Sequence, residues 1–193
     1  MLQRLYDRTI ALAGHRHAVP ILGAVSFAES SVFPIPPDVL LIPMVLAHRS
    51  KAWLIAAVCT LASVLGGLAG YAIGYFLFET VGQPVLAFYG YMHEFETVRG
   101  IFRDWGFWFV FAAGFTPIPY KVITIASGVM TLNPAVFLIA SAVSRGGRFV
   151  LECGLLWYFG PPIRRFIEGN LGLLTVMFVV LLFGGFVAVR YVV

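Results

Sequence analysis

Six charged residues lie inside segments that are otherwise apolar: Glu29, Asp38, Lys121, Arg145, Arg148 and Glu152. A charge at the centre of a bilayer costs at least ~2.5–3.5 kcal/mol on the insertion scale, so six of them call for a polar interior or cavity. Arg148, Arg145 and Lys121 supply three cations. Half-helix N-termini expected at Val39 and Val122 would add free amides and positive dipole ends to the same region. That combination suits an anion, above all a phosphate group. Glu29 and Asp38 are candidates for carrying protons, because burial disfavours the ionised carboxylate. The competing reading makes all six a structural network of salt bridges. Within it Glu152, at i,i+4 from Arg148, serves as a local partner of that Arg, and Arg145 reaches the interface by snorkelling.

The composition says what surrounds these charges. Of 193 residues 60% are apolar and 11% charged, against about 45–50% and about 25% in soluble domains. Such a chain cannot cover a water-facing surface, and it is too apolar to be disordered. Its solvent is lipid. The net charge of +4 is scattered in small groups, which fits membrane rims and excludes a nucleic-acid footprint. Cys59 and Cys153 lie in apolar runs, so neither a disulfide framework nor a metal site is expected. His15, His17, His48 and His93 match no metal spacing. No nucleophile elbow, metalloprotease helix or phosphate loop is present, so no enzyme and no cofactor are expected.

Charge-free runs locate the elements that must position the charges. Ala52–Phe78 and Leu171–Val189 each come close to or exceed the ~20 residues that cross a bilayer. Pro134–Phe159 is a third span, with charges in its middle. Pro20–His48 is broken at Pro34-Ile35-Pro36-Pro37, and Trp105–Leu132 at Pro117-Ile118-Pro119. No helix continues through such a break, and the freed carbonyls cannot face lipid. Each segment therefore reads as a re-entrant hairpin of two half-helices, or else as one broken crossing. Between the spans, Pro84–Asp104 is amphipathic, with Phe88, Met92, Phe95 and Phe102 opposite Glu94, Glu96, Arg99 and Arg103. It is expected in the interface plane. Leu2–Arg8 is expected to form a second interfacial helix. Gly66, Gly70 and Gly74 mark close helix packing in preference to a dimer motif.

A shift of 83 residues carries Pro34-Ile35-Pro36 onto Pro117-Ile118-Pro119, Ala52 onto Ala135 and Tyr75-Phe76 onto Tyr158-Phe159. The expected fold is an all-α integral membrane protein of two repeats, each a re-entrant hairpin plus a transmembrane helix, followed by a C-terminal transmembrane helix. Its parts are repeat one at 18–79, a linker at 80–104, repeat two at 105–161 and a final helix at 170–190. Re-entrant hairpins make the repeats inverted; broken crossings make them parallel. Counting Arg and Lys gives both arrangements the same split and a cytoplasmic N-terminus. Paired Pro-interrupted segments in two halves point to a transporter site and favour the inverted form. The same shift places Asp38 on Lys121, which suggests a buried or alternating ion pair between them.

These residues resemble a known family. Glu29-Ser30-Ser31-Val32-Phe33-Pro34-Ile35-Pro36-Pro37-Asp38-Val39-Leu40-Leu41 is similar to the first signature of the DedA family, or VTT domain. Phe115-Thr116-Pro117-Ile118-Pro119-Tyr120-Lys121 resembles the second, in the form of the YqaA-like branch. Ser144-Arg145-Gly146-Gly147-Arg148-Phe149 is similar to the Gly-Arg-x-x-Arg element. Where much of the family carries two further arginines, this chain has Gly114 and Tyr120, with Lys121 one place on. The resemblance implies a bacterial inner-membrane protein with opposed re-entrant hairpins that translocates a lipid, such as undecaprenyl phosphate or a phospholipid. It implies acids at Glu29 and Asp38 and bases at Arg145 and Arg148. The expected partners are membrane lipids and their anionic phosphate groups, with a homo-oligomer open. A proton-coupled small-ion transporter and a non-transporting envelope scaffold are the alternatives.

Overall fold

The computed structural model describes residues 18–32, 36–90, 92–116, 119–160 and 162. Expectations for Leu2–Arg8, Pro34, Pro117 and the Leu171–Val189 span lie outside those residues. Every regular element among them is helical. In chain order these are α1 (Ala18–Ser31), α2 (Asp38–Ala47), α3 (Ala52–Leu77), α4 (Gln83–Tyr89), α5 (Met92–Phe115), α6 (Tyr120–Val129) and α7 (Pro134–Gly160). A 3-10 turn, Arg49–Lys51, leads into α3, and a π-helical stretch, Phe78–Gly82, joins α3 to α4.

Local chemistry sets the boundaries. Pro36 and Pro37 precede α2, whose first residue, Asp38, places a carboxylate at the positive end of the helix dipole. At the second break Pro119 is extended, with φ −60° and ψ 100°, and α6 starts at the next residue. Asn133 caps α7 by accepting the Ala135 amide at 2.9 Å, and Pro134 takes the first helical position. Gly90, at φ +76°, closes α4 in the left-handed conformation that glycine adopts without strain.

α3 and α7 are the long members, and Arg49–Tyr89 and Pro134–Gly160 are each long and apolar enough to cross a membrane. They pack antiparallel. Trp53 lies against Trp157 with ring centroids 6.3 Å apart, Ser63 meets Arg145 in the middle, and Tyr71 lies 5.3 Å from Phe137. α1 runs alongside the first half of α3 in the same direction: Ser26 donates to the Cys59 carbonyl and the Ser30 hydroxyl meets that of Ser63. α2 then returns, so that Met44 and Val45 share a core with Ala18 and Leu22. The end of α1 and the start of α2 therefore lie beside the middle of the bundle, near Ser63 and Arg148. α5, α6 and α7 repeat this arrangement. Gly106 faces Leu132 and Gly114 faces Ser144, while Tyr120 at the start of α6 donates to Ser141. The end of α5 and the start of α6 lie beside the middle of α7.

The helices touch because small residues let them. A Cβ on Gly66 would strike the Phe27 carbonyl of α1, and one on Gly74 would strike the Ile125 carbonyl of α6. The glycine row of α3 is thus the packing surface expected of it, and it receives one hairpin on each side. Two apolar cores result. One gathers Leu22, Leu41, Val45, Ile55, Cys59 and Phe149; the other gathers Val110, Tyr120, Phe137 and Ala140. The outward surface is apolar as well, with Leu61, Leu65, Ile139 and Leu151 each more than half exposed. Apolar side chains inside and outside alike belong to a membrane protein.

One boundary differs from the expectation. The amphipathic segment placed at 80–104 is helical, but α5 runs unbroken through Asp104 to Phe115. Composition changes at Asp104-Trp105, but the helix does not end there. Nothing in the backbone stops the helix until Pro117 approaches.

Candidate functional site

The helix ends at the two breaks and the middles of α3 and α7 converge, and the charges singled out in the sequence collect there. Glu29 stands near the end of α1, Asp38 opens α2, and Arg145 and Arg148 occupy one face of α7 a turn apart. They form two cross-helix ion pairs, with Arg145 Nη2 2.8 Å from Glu29 Oε2 and Arg148 Nη2 2.6 Å from Asp38 Oδ2.

The two pairs differ in how they are held. Arg145 is 2% exposed. Its Nε donates to Ser63 Oγ at 2.5 Å, and its Nη2 reaches Ser30 Oγ at 3.4 Å as well as Glu29. The guanidinium carbon lies 4.9 Å from the ring centroids of both Tyr120 and Phe149. Ser30 Oγ donates to Glu29 Oε2 at 3.1 Å and sits 2.6 Å from Ser63 Oγ. A planar cation between two rings, with hydroxyls on its edge, is a fixed arrangement. It joins α1, α3, α6 and α7 at one point. Arg145 does not snorkel to an interface.

The Arg148–Asp38 pair is looser. The two side chains are 27% and 24% exposed. Arg148 has one further partner, the Thr116 carbonyl, which accepts from Nη1 at 3.5 Å. Asp38 Oδ1 is buried and has no hydrogen-bond partner among the described residues. A buried carboxylate oxygen without a partner is costly unless something satisfies it.

Two expected partnerships give way to these. Asp38 pairs with Arg148 and not with Lys121, and Arg148 pairs with Asp38 and not with Glu152. Lys121, second in α6, is half-buried at the second break and makes no ion pair among the described residues. Glu152, a turn beyond Arg148, is also half-buried and unpaired among them. Pro36 and Pro119 flank the breaks and lead directly into α2 and α6.

Sequence reasoning missed the hydroxyl framework. Ser26, Ser30, Ser63, Thr124 and Ser141 are fully buried. Thr124 donates to the Ser30 carbonyl at 3.3 Å and so ties the second hairpin to the first. The available signal was the i,i+4 spacing of Ser26 and Ser30 on a helix that is otherwise apolar, the pattern by which hydroxyls join helices in lipid.

Comparison with known proteins places the chain. The family model of the VTT domain matches residues 35–158. That interval holds Pro36 and Pro37 of the first break, the whole of the second, all of α3, α7 up to Tyr158 and every ion-pair residue of the site except Glu29. An uncharacterized protein of Haemophilus influenzae is 41% identical over 168 residues, covering 85% of this chain and 87% of its own length. An uncharacterized protein of Histophilus somni is 40% identical over the same length, with the same coverage. No solved structure matches the chain. With more than half its length in the domain and relatives aligned almost end to end, this membrane protein belongs to the VTT-domain, or DedA, family.

Proposed function

We propose that the protein translocates an anionic phospho-lipid across the bacterial inner membrane, using Arg148 and Lys121 to receive the phosphate and Asp38 to gate it. The observation that carries this reading is the Arg148–Asp38 pair, partly exposed at the hairpin breaks with one carboxylate oxygen unsatisfied. A phosphate competes with a carboxylate for the same guanidinium. A proton on Asp38 neutralises the acid and releases Arg148 to the incoming anion. Loss of that proton restores the pair and expels the phosphate. Glu29 holds Arg145 by the same chemistry, and Arg145 adds positive potential behind Arg148.

Inverted repeats with re-entrant hairpins are the architecture this reading takes. Three observations support it: α3 and α7 run antiparallel, the helix ends at each break lie beside the middle of the bundle, and α2 shifted by 83 residues falls on α6. Arg4, Arg8 and Arg16 argue for a cytoplasmic N-terminus.

The test is transfer of a labelled lipid phosphate between leaflets of sealed proteoliposomes. Arg148→Ala should abolish transfer while the protein stays folded, and Asp38→Asn should remove its dependence on a pH gradient. Transfer unchanged in Arg148→Ala would refute the lipid assignment. A pH-gradient-driven ion flux without lipid transfer would point to a small-ion transporter. Neither activity, with cellular function intact in an Asp38/Lys121 double variant, would leave a membrane scaffold.

A further inference from the structure

A second basic site lies away from the hairpin breaks, where α5 passes the turn between α6 and α7. A cavity of about 310 Å³ opens there, lined by Glu96, Arg99, Gly100, Arg103, Met130 and Thr131. Arg99 is engaged at its rim: it donates to Thr131 Oγ1 and to the Met130 carbonyl and pairs with Glu96 at 3.1 Å. Arg103, one turn along the same face, makes only a long contact. Its side chain is 82% exposed, and its nearest acid, Asp104, is 3.9 Å away. Between the two arginines Gly100 leaves the cavity wall bare, and a Cβ there would meet nothing within 4 Å. Packing therefore does not demand glycine at 100, although glycine in a helix interior is destabilising.

The level of this cavity in the membrane follows from α5. Its charges, from Glu94 to Asp104, end where Trp105 and Trp108 begin, and both Trp rings are more than half exposed. Interfacial Trp marks the edge of the hydrocarbon. At ~1.5 Å per residue, Arg103 and Arg99 stand within about 10 Å above Trp105, which is the depth of lipid phosphates.

We infer that this cavity holds the phosphate group of a membrane lipid, bound by Arg103 and the rim Arg99 over Gly100, with the acyl chains lying along Trp105 and Trp108. The site is separate from the translocation site. Its occupancy fixes α5 against the α6–α7 turn and does not depend on the proposed transport.

The experiment uses the full chain in nanodiscs and reads thermal stability and lipid retention by native mass spectrometry. The discs contain phosphatidylcholine alone or with phosphatidylglycerol, and a separate arm adds millimolar inorganic phosphate. Phosphatidylglycerol should raise Tm and be retained at least tenfold over phosphatidylcholine. Arg103→Gln and Gly100→Leu should each remove that selectivity. Gly100→Leu should at the same time raise the Tm measured in phosphatidylcholine, which separates a filled site from a misfolded protein. Equal retention of the two lipids, or selectivity unchanged in both variants, overturns the inference. So does inorganic phosphate that matches or displaces phosphatidylglycerol, because the ligand would then be free phosphate.

Discussion

Arg145 and Arg148 sit one turn apart on α7 and bind one carboxylate each, yet their surroundings assign them different work. Arg145 is enclosed by two rings, two serine hydroxyls and Glu29. Removing one partner of a buried pair strands the other charge and typically costs ~3–5 kcal/mol. Arg145→Ala should therefore lower stability by about that amount, read as an early thermal melt in detergent. Adding Glu29→Gln should recover much of the loss, because no charge then lies unpaired. A double variant as unstable as the single would show that the rings and hydroxyls, not the ion pair, hold the site. Arg148 shares its charge with a quarter-exposed partner, so Arg148→Ala should shift stability by less than Arg145→Ala while removing transfer. The residue types and their place inside apolar segments were legible in the sequence. Their pairing was not, because a repeat offset names equivalent residues and equivalents need not touch.

At the scale of elements, two sequence signals carried most of what the structure contains. Pro-x-Pro stops a helix because it removes a donor and adds a clash, and both breaks fall where the prolines stand. Glycine at four-residue spacing predicted close packing, and α3 uses that spacing for two different neighbours. A methyl group on Gly66 or Gly74 would overlap a backbone carbonyl of α1 or α6, which cannot rotate away. Gly66→Ala and Gly74→Ala should each cost ~1–3 kcal/mol by overpacking. Gly100→Ala, which meets open space, should stabilise by up to ~1 kcal/mol through helix propensity. Melting all three variants in one detergent checks the contrast, and a Gly66→Ala protein as stable as the parent would contradict the packing described. The amphipathic pattern ends at Asp104, whereas α5 runs on to Phe115. A change from polar to apolar residues reports the surroundings of a helix, whereas its termination needs a cap or a breaker.

For the whole molecule, the antiparallel course of α3 and α7 has a consequence that charge counting alone could not reach. Arg and Lys divide equally under either arrangement, since exchanging Arg49 and Lys51 for Arg99 and Arg103 leaves the count unchanged. The contacts give the relative course of the helices. Arg49 donates to the Tyr158 carbonyl at 3.4 Å, so the start of α3 and the end of α7 lie at one end of the bundle. Arg99 reaches Met130 and Thr131, so the start of α5 and the end of α6 lie at the other. If the hairpins are re-entrant, Pro20→Cys, Ser50→Cys and Pro162→Cys should all react with an impermeant maleimide from the same face. Thr97→Cys should react from the opposite one. Broken crossings put Pro20 and Ser50 on opposite faces, so labelling of those two from different sides would overturn the inverted arrangement. Cys59 and Cys153 are buried, which keeps the background of the parent protein low. Pro20 and Ser50 on one face would mean that the first hairpin enters and leaves by the same side. The Arg148–Asp38 pair would then stand at mid-depth, where a visiting phosphate competes with Asp38 for the Arg148 guanidinium.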